Sequence, residues 1–175
     1  RIPNSTILQR LYHHLGAHPI LVEWVEAANA IRLGSVDALD PSIGALYVFG
    51  FKDLLSQITF ADIIQDAQLY FCNLEWFSQL PQPLKASIDF ASEMTMRQNH
   101  AKVPAARAHA KMQMTAAGVK LHRLSPDEKA QWMQKVGAQL AIWNDVKKQL
   151  AGSLSQFDKL KEAADTPGNY YVPER

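Results

Sequence analysis

The fold is decided by the stretch Gly16-Ala17-His18-Pro19-Ile20-Leu21-Val22, which carries the chain from an amphipathic helix into a short apolar run. The same change occurs from Gly34 into Ser35-Val36-Asp37-Ala38-Leu39, and from Gly118 into Val119-Lys120-Leu121. A glycine just beyond a helix supplies the left-handed residue that closes it, and a short apolar run is typical of a strand covered on both faces. The sequence therefore predicts an α/β fold with a parallel sheet, whose ligand sites lie at the carboxyl ends of the strands.

The composition is that of a globular chain whose small net charge creates no electrostatic field that would attract polyanions. Its 175 residues carry 18 Lys and Arg against 17 Asp and Glu, a formal net charge of +1, and 47% of them are apolar. Since the basic residues are scattered, a nucleic acid is not expected as a partner. No run approaches the roughly 20 apolar residues that a membrane span needs.

The start of the chain and its one cysteine lead to two further expectations. Arg1-Ile2-Pro3-Asn4 is neither a signal peptide nor an initiator methionine, so we expect a processed or truncated product. Cys72 cannot form an internal disulfide, and its strand-like neighbours predict a buried thiol.

Apolar spacing predicts the order of the elements. Strands are predicted at residues 1–3, 19–22, 36–39, 57–60, 68–72 and 119–121. Helices are predicted at residues 5–15, with Asn4 or Ser5 as the cap, and at 24–33, 43–54, 82–118, 126–146 and 154–160. The helix from Gln82 would span roughly 50 Å at about 1.5 Å per residue, so it should extend beyond the sheet unit, and Pro104 should kink or interrupt it.

Motifs for metal binding or catalysis are weak. His14 and His18 have a His-x-x-x-His spacing, but Gly16 ends the helix between them and no carboxylate accompanies them, which favours surface or structural histidines. Asp37 and Asp40 lie at a predicted strand end, where a general base could act. A solvated or capping carboxylate is the commoner use of such a residue.

Two side chains at predicted strand ends are better candidates for a ligand site. Arg1 can clamp a carboxylate with its planar guanidinium, and Trp24 can cover the apolar face of an organic ligand. The alternative is a surface arginine and a core tryptophan that opens a helix. Spacing alone does not decide between the two interpretations.

Several short motifs follow one another in a fixed order along the chain. They are Arg1-Ile2-Pro3-Asn4, Leu15-Gly16-Ala17-His18-Pro19, Trp24-Val25-Glu26-Ala27, Leu33-Gly34-Ser35-Val36-Asp37-Ala38, Trp76-Phe77-Ser78-Gln79-Leu80-Pro81, the long helix, and Ala117-Gly118-Val119 with the helix start Ser125-Pro126-Asp127-Glu128. Each motif is weak alone. Their ordered sum resembles the carboxyl-terminal half of the DctP-type solute-binding proteins of tripartite ATP-independent periplasmic (TRAP) transporters, over essentially the whole chain.

The resemblance implies a type II-like periplasmic-binding-protein fold, with the ligand in a cleft between two α/β domains and a long helix bracing both. It implies that the amino-terminal domain is missing. The chain would comprise an α/β ligand-binding lobe at residues 1–80, the long helix with a short strand and carboxyl-terminal helices at 81–165, and a tail at 166–175. The implied partners are an organic acid and the permease subunits of the transporter, in the periplasm, with no cofactor and no metal.

The resemblance also assigns candidate site residues. Arg1 matches an arginine that forms a salt bridge with the ligand carboxylate, and Trp24 matches an aromatic residue that packs on the ligand. Where many members have Gln-Glu-Asn-Pro, this chain has Leu39-Asp40-Pro41-Ser42, so an amide donor is lost and the solute of those members is not transferred. The predicted ligand-binding residues are Arg1, Trp24, Asp40, Pro41 and Ser42.

We interpret the chain as a binding protein and not an enzyme, while two other functions stay open. One is a ligand-sensing domain of the same fold in a signalling protein. The other is a small α/β enzyme that uses Asp37 or Asp40 as a base. Without its partner domain the fragment should bind its solute weakly and self-associate through exposed apolar surface.

Overall fold

The computed structural model of the chain describes residues 1–64 and 69–166. Within them the chain forms eight α-helices and one pair of β-strands. The helices are α1 Thr6–His14, α2 Ala27–Arg32, α3 Ile43–Val48, α4 Leu74–Gln79, α5 Gln82–Ala116, α6 Pro126–Val136, α7 Asn144–Ala151 and α8 Leu154–Asp165, and the strands are β1 Gln57–Phe60 and β2 Lys120–Arg123. Short 3-10 helices occupy Trp24–Glu26, Phe51–Asp53 and Ala141–Trp143. Over this part of the chain, no helix combines the length and the apolar composition that crossing a membrane requires.

The chain divides into two compact units. One joins residues 1–24 with the chain from Ser125 on, and the other is Val25–Leu124. From the sequence, domain boundaries are expected after residues 80 and 165. These boundaries stay a prediction.

The second unit contains the parallel pair that the sequence predicts. β1 lies beside β2 in parallel register, with Gln57 opposite Lys120 and Phe60 opposite Arg123. The chain returns from α5 to β2 through Gly118, whose φ of 87° is the left-handed conformation that favours glycine. The predictions of a strand at 57–60 and of a strand after Gly118 are confirmed.

The long helix is present as α5, with 35 residues. Its buried residues are Ala110 and Met114, both near its carboxyl end, and Tyr47 of α3 contacts His109 there. α5 continues through Pro104, so an interruption at this proline is wrong. The neighbouring residues are exposed, and water can therefore replace the backbone bond that Pro104 removes.

In the first unit, α1 begins and ends as predicted. Ser5 caps it by accepting a hydrogen bond from the Leu8 backbone N–H at 3.3 Å, and Gly16 has a φ of 91° just beyond its end. Leu8 and Leu11 form its buried face. A Ser cap and a terminal glycine are local signals, which explains why the sequence predicts this helix well.

The predicted strands at residues 1–3 and 19–22 form a single parallel bridge instead of a ladder. Ile2 lies opposite Leu21, and its N–H donates to the Ile20 carbonyl oxygen at 2.9 Å. The Val22 N–H donates to the Ile2 carbonyl oxygen at 3.4 Å. The parallel direction is as predicted, but the pairing is only one bridge long.

The strand predicted at residues 36–39 is absent. The backbone N–H groups of Ser35 and Val36 both donate to the Ala30 carbonyl oxygen, at 2.9 and 3.4 Å, and so close the end of α2. Donors used in this way are not available to a strand ladder. Val36 is still buried, which accounts for the apolar pattern that suggested a strand.

The strand predicted at residues 68–72 is also wrong for residues 69–72, while Gln68 lies outside the described residues. Leu69 is 82% and Phe71 92% exposed, and Cys72 is exposed rather than buried. A strand needs a neighbour to complete its ladder. Within residues 1–64 and 69–166, none pairs with this run.

The helix predicted over residues 126–146 consists of two helices. α6 starts with the predicted capping box of Ser125 and Glu128, but it ends at Val136 because Gly137 is extended. A Cβ at Gly137 would collide with the Met133 carbonyl oxygen. The indole N–H of Trp143 donates to the Val136 carbonyl oxygen at 3.0 Å and so closes the end of α6.

An ion pair connects α1 with α7 inside the first unit. The Nη1 and Nη2 atoms of Arg10 lie 2.6 and 2.8 Å from the two carboxylate oxygens of Asp145. The Arg10 guanidinium also stacks 5.7 Å from the centre of the Trp143 ring. Its hydrogen bond holds the pKa of Asp145 well below the usual range, aided by the Val146 backbone N–H.

The lowered pKa of Asp145 predicts a loss of stability in acid. The ionised form stabilises the fold above the ordinary aspartate pKa of about 3.9, and the contribution falls as the pH drops below that value. At pH 7 Asp145→Asn should therefore have a lower urea midpoint than the wild type, and the difference should narrow below about pH 4. Asp158→Asn, an exposed carboxylate on α8, is the control; an equal pH trend in both variants would contradict the prediction.

Replacing Pro104 should stabilise α5. Pro104→Ala restores a backbone donor inside an exposed helix, and we expect the free energy of unfolding to rise by about 1–3 kcal/mol. Urea denaturation measures the change, with Val103→Ala as the neighbouring control. An unchanged midpoint would mean that the helix around residue 104 contributes nothing to global stability.

Candidate functional site

The structure brings Arg1 and Trp24 together in the first unit. Because Ile2 pairs with Leu21, the Arg1 side chain reaches the segment that follows Leu21, and its Nε donates to the Val22 carbonyl oxygen at 2.8 Å. Its guanidinium carbon lies 5.3 Å from the centre of the Trp24 ring. Both side chains are half-buried.

This pair combines two functions that binding an organic acid requires. Stacking on an aromatic ring orients the planar guanidinium, and a guanidinium recognises a carboxylate through parallel N–H donors. The indole of Trp24 provides an apolar surface beside that charge. The pair therefore has the chemistry that the sequence analysis assigns to it.

Asp40, Pro41 and Ser42 lie in the second unit, immediately before α3. The Ser42 hydroxyl oxygen accepts a hydrogen bond from the Ala45 backbone N–H at 3.3 Å and so caps α3. Asp40 and Pro41 are half-buried and Ser42 is exposed. Their assignment to the ligand site, like that of Arg1 and Trp24, stays a prediction.

The histidines do not assemble a metal centre in the part of the chain that the structure describes. Over these residues no group of three or more His, Cys, Asp or Glu side chains could hold a metal ion. His14 packs its ring edge-on against His13, with the centroids 6.2 Å apart.

Sequence reasoning missed a cationic cluster at the carboxyl end of the β1–β2 pair. Lys111 Nζ lies 4.9 Å and the Arg123 guanidinium carbon 5.5 Å from the centre of the Phe60 ring. Arg123 also forms an ion pair with Asp62 at 2.6 Å. The available signal was the position of Phe60 at the end of one predicted strand and of Arg123 two residues beyond another. Lys111 comes from α5 and carries no such signal.

Comparison with known proteins identifies the family. The profile of DctP, bacterial extracellular solute-binding protein family 7, matches residues 1–146. A comparison with curated protein sequences gives no match.

Solved structures of similar fold come from the same kind of protein. The periplasmic ectoine-binding protein of the TeaABC TRAP transporter from Halomonas elongata superposes with a TM-score of 0.72 at 15% identity, over 93% of this chain and 52% of its own. A TRAP periplasmic solute-binding protein from Desulfovibrio salexigens with bound orotic acid gives 0.67 at 18%, over 92% and 50%. One from Sulfurospirillum deleyianum with bound succinate gives 0.67 at 18%, over 90% and 51%. The chain thus spans about half the length of the structures it matches.

The helix-rich α/β fold with its small parallel sheet is therefore that of TRAP solute-binding proteins. The chain belongs to the bacterial extracellular solute-binding protein family 7. The resemblance and the fold class inferred from the sequence are both confirmed. The family comprises binding proteins for transport and not enzymes, in agreement with the interpretation of the sequence.

The cap at Ser42 can be tested by substitution. Ser42→Ala removes the oxygen that satisfies the Ala45 N–H, so the free energy of unfolding should fall by about 1 kcal/mol. Ser42→Asp keeps an acceptor at this position and should stay close to the wild type in a urea titration. Equal losses in both variants would show that the hydroxyl does not act as a cap.

Proposed function

We propose that residues 1–175 are the carboxyl-terminal half of a periplasmic solute-binding protein that captures an organic acid and delivers it to the permease subunits of a TRAP transporter. Family membership supports the binding role. Two proteins of similar fold hold carboxylic acids, orotic acid and succinate. A third is an ectoine-binding protein, so the solute class rests on this chain's own residues.

The observation that carries the proposal is the stacked pair of Arg1 and Trp24. The bond from Arg1 Nε to the Val22 carbonyl oxygen and the aromatic ring together fix the guanidinium before a ligand arrives. A side chain that is already oriented loses less conformational entropy on binding, which strengthens the interaction with a carboxylate. Trp24 would cover the apolar part of the same solute.

Asp40, Pro41 and Ser42 are the remaining residues that we propose to bind the ligand. Pro41 has no backbone N–H, and among these three side chains only the Ser42 hydroxyl, whose oxygen caps α3, can donate to a carboxylate. Arg1 would then carry the main interaction with the acid. Binding would favour a closed arrangement of the two domains, because the closed state contacts the solute on both sides.

The remaining parts of the proposal concern partners. An amino-terminal domain would complete the cleft, and residues 1–175 alone would bind weakly and self-associate. The family match favours this reading over a sensor domain of a signalling protein and over an enzyme that uses Asp37 or Asp40.

The test is a thermal-shift titration of the natural full-length protein that contains this chain. Succinate, orotate, ectoine and a neutral sugar serve as probes, since a ligand that binds only the folded state raises the midpoint. A ligand at 100 times its Kd stabilises the fold by about 2.7 kcal/mol, which is readily measured. We expect an acid to give the largest shift.

Substitutions assign that shift to the stacked pair. Arg1→Ala should abolish it, and Trp24→Ala should reduce the affinity about tenfold or more, whereas Trp24→Phe should preserve most of it. Arg107→Ala, an exposed arginine of α5, is the control and should bind like the wild type. A full shift in Arg1→Ala, or a shift with the neutral sugar alone, would refute the assigned role.

A further inference from the structure

A groove on the first unit has no role in the function proposed above. Its volume is about 590 Å³, within the range of about 300–1,000 Å³ that small-molecule sites occupy. It contains none of the five predicted ligand-binding residues. Its lining residues are Thr6, Gln9, Arg10, His13, His18 and Pro19.

The turn after α1 creates this groove. Gly16 adopts a left-handed φ of 91°, and the Ala17 N–H donates to the Tyr12 carbonyl oxygen at 2.9 Å. The chain therefore reverses direction directly beyond the helix. This reversal places His18 and Pro19 beside the side chains of α1 that line the groove.

The lining is rich in hydrogen-bond donors and contains no carboxylate. Thr6 contributes a hydroxyl and Gln9 a side-chain amide. His13 and His18 each contribute an imidazole, which carries at least one N–H donor even when neutral. A donor-rich groove with an arginine is complementary to an oxyanion.

Arg10 supplies the strongest donors. Its Nη1 bonds the Ile142 carbonyl oxygen and one oxygen of Asp145, and its Nη2 bonds the other oxygen. Over residues 1–64 and 69–166, the Nε–H and the second N–H of Nη2 have no hydrogen-bond partner. These two donors point from the same edge of the guanidinium, so they form a second fork for a carboxylate or phosphate.

The guanidinium is also held rigidly. Asp145 fixes one edge, and the ring of Trp143 lies 5.7 Å from the guanidinium carbon. About two-thirds of the Arg10 side chain is buried, since its relative exposure is 32%. Such an arginine needs little reorganisation to accept an oxyanion.

We propose that this groove is a second anion-binding site, which takes the carboxylate or phosphate group of a small molecule. The oxyanion lies on the Nε edge of Arg10, and the imidazoles of His13 and His18 donate to it. The site works independently of Arg1 and Trp24. The same oxyanion chemistry is found in a free anion and in an anionic lipid head group, and the experiment separates these sources.

The experiment titrates inorganic phosphate and succinate into the natural full-length protein, labelled with nitrogen-15, at constant ionic strength. Side-chain nitrogen signals of the histidines are followed by NMR, together with backbone amide signals of residues 6–18, which remain available in the variants that lack a histidine. Saturable shifts are expected for His13 and His18. The double variant His13→Ala/His18→Ala should lose about tenfold or more in affinity, since hydrogen bonds to a charged group are lost. His14→Ala, the neighbour that does not line the groove, should retain the affinity.

Two further variants make the test specific. Arg10→Lys keeps a positive charge beside Asp145 but has no second fork, so it should bind the anion about tenfold more weakly or worse. Because the substitution also weakens the contacts with Asp145 and Trp143, the affinities are compared at a temperature at which circular dichroism shows both proteins to be folded. Arg1→Ala should bind anions in the groove normally. This variant therefore separates a failure of the groove from a failure of the function proposed above.

The outcomes are distinct. Loss in the double variant and in Arg10→Lys, with retention in His14→Ala, supports a site for a free anion. Shifts produced only by vesicles that contain phosphatidylglycerol, and not by phosphatidylcholine vesicles or free anions, assign the site to a lipid head group. Unchanged affinity in the double variant, or shifts that potassium chloride reproduces, would overturn the proposal.

Discussion

The parallel bridge between Ile2 and Leu21 is the contact on which the proposed ligand pair depends. It consists of two backbone hydrogen bonds, and each such bond contributes only about 1 kcal/mol net. Burial of the Ile2 side chain, which is 2% exposed, adds a larger apolar contribution. The turn at Gly16 makes both possible, because it returns the chain from α1 to Ile2. A short local turn therefore determines whether Arg1 can reach Trp24.

Capped helix ends follow from local signals, whereas the pairing of strands does not. Ser5 with Gly16, and Ser125 with Glu128, define helix ends by bonds within a few residues, so the sequence predicts α1 and the start of α6 correctly. A strand depends on a partner that is far away in the sequence. In the apolar run at residues 36–39, the Val36 N–H helps to close α2 instead of entering a ladder. Hydrophobic periodicity predicts that Val36 is buried, but it does not predict which acceptor its backbone N–H binds.

The candidate sites likewise combine residues that the sequence suggested with contacts that only the structure shows. The resemblance to known binding proteins suggested Arg1 and Trp24 as ligand residues, and the structure supplies the contact between them. The cluster around Phe60 involves residues 60, 111 and 123, which come from β1, α5 and β2. The Arg10 fork likewise requires Asp145 and Trp143, more than 130 residues away in the sequence. Side chains from distant elements converge only through tertiary packing, which a single sequence does not encode as a local pattern.

The segment Asp40-Pro41-Ser42 departs from the Gln-Glu-Asn-Pro pattern in the donors that it can offer. Pro41 has no backbone N–H, and among these three side chains only the Ser42 hydroxyl, whose oxygen caps α3, can donate to a carboxylate. Arg1 contributes several donors and a positive charge of its own. The proposed preference for an acid therefore depends on the guanidinium that Val22 and Trp24 hold in place, and not on this segment.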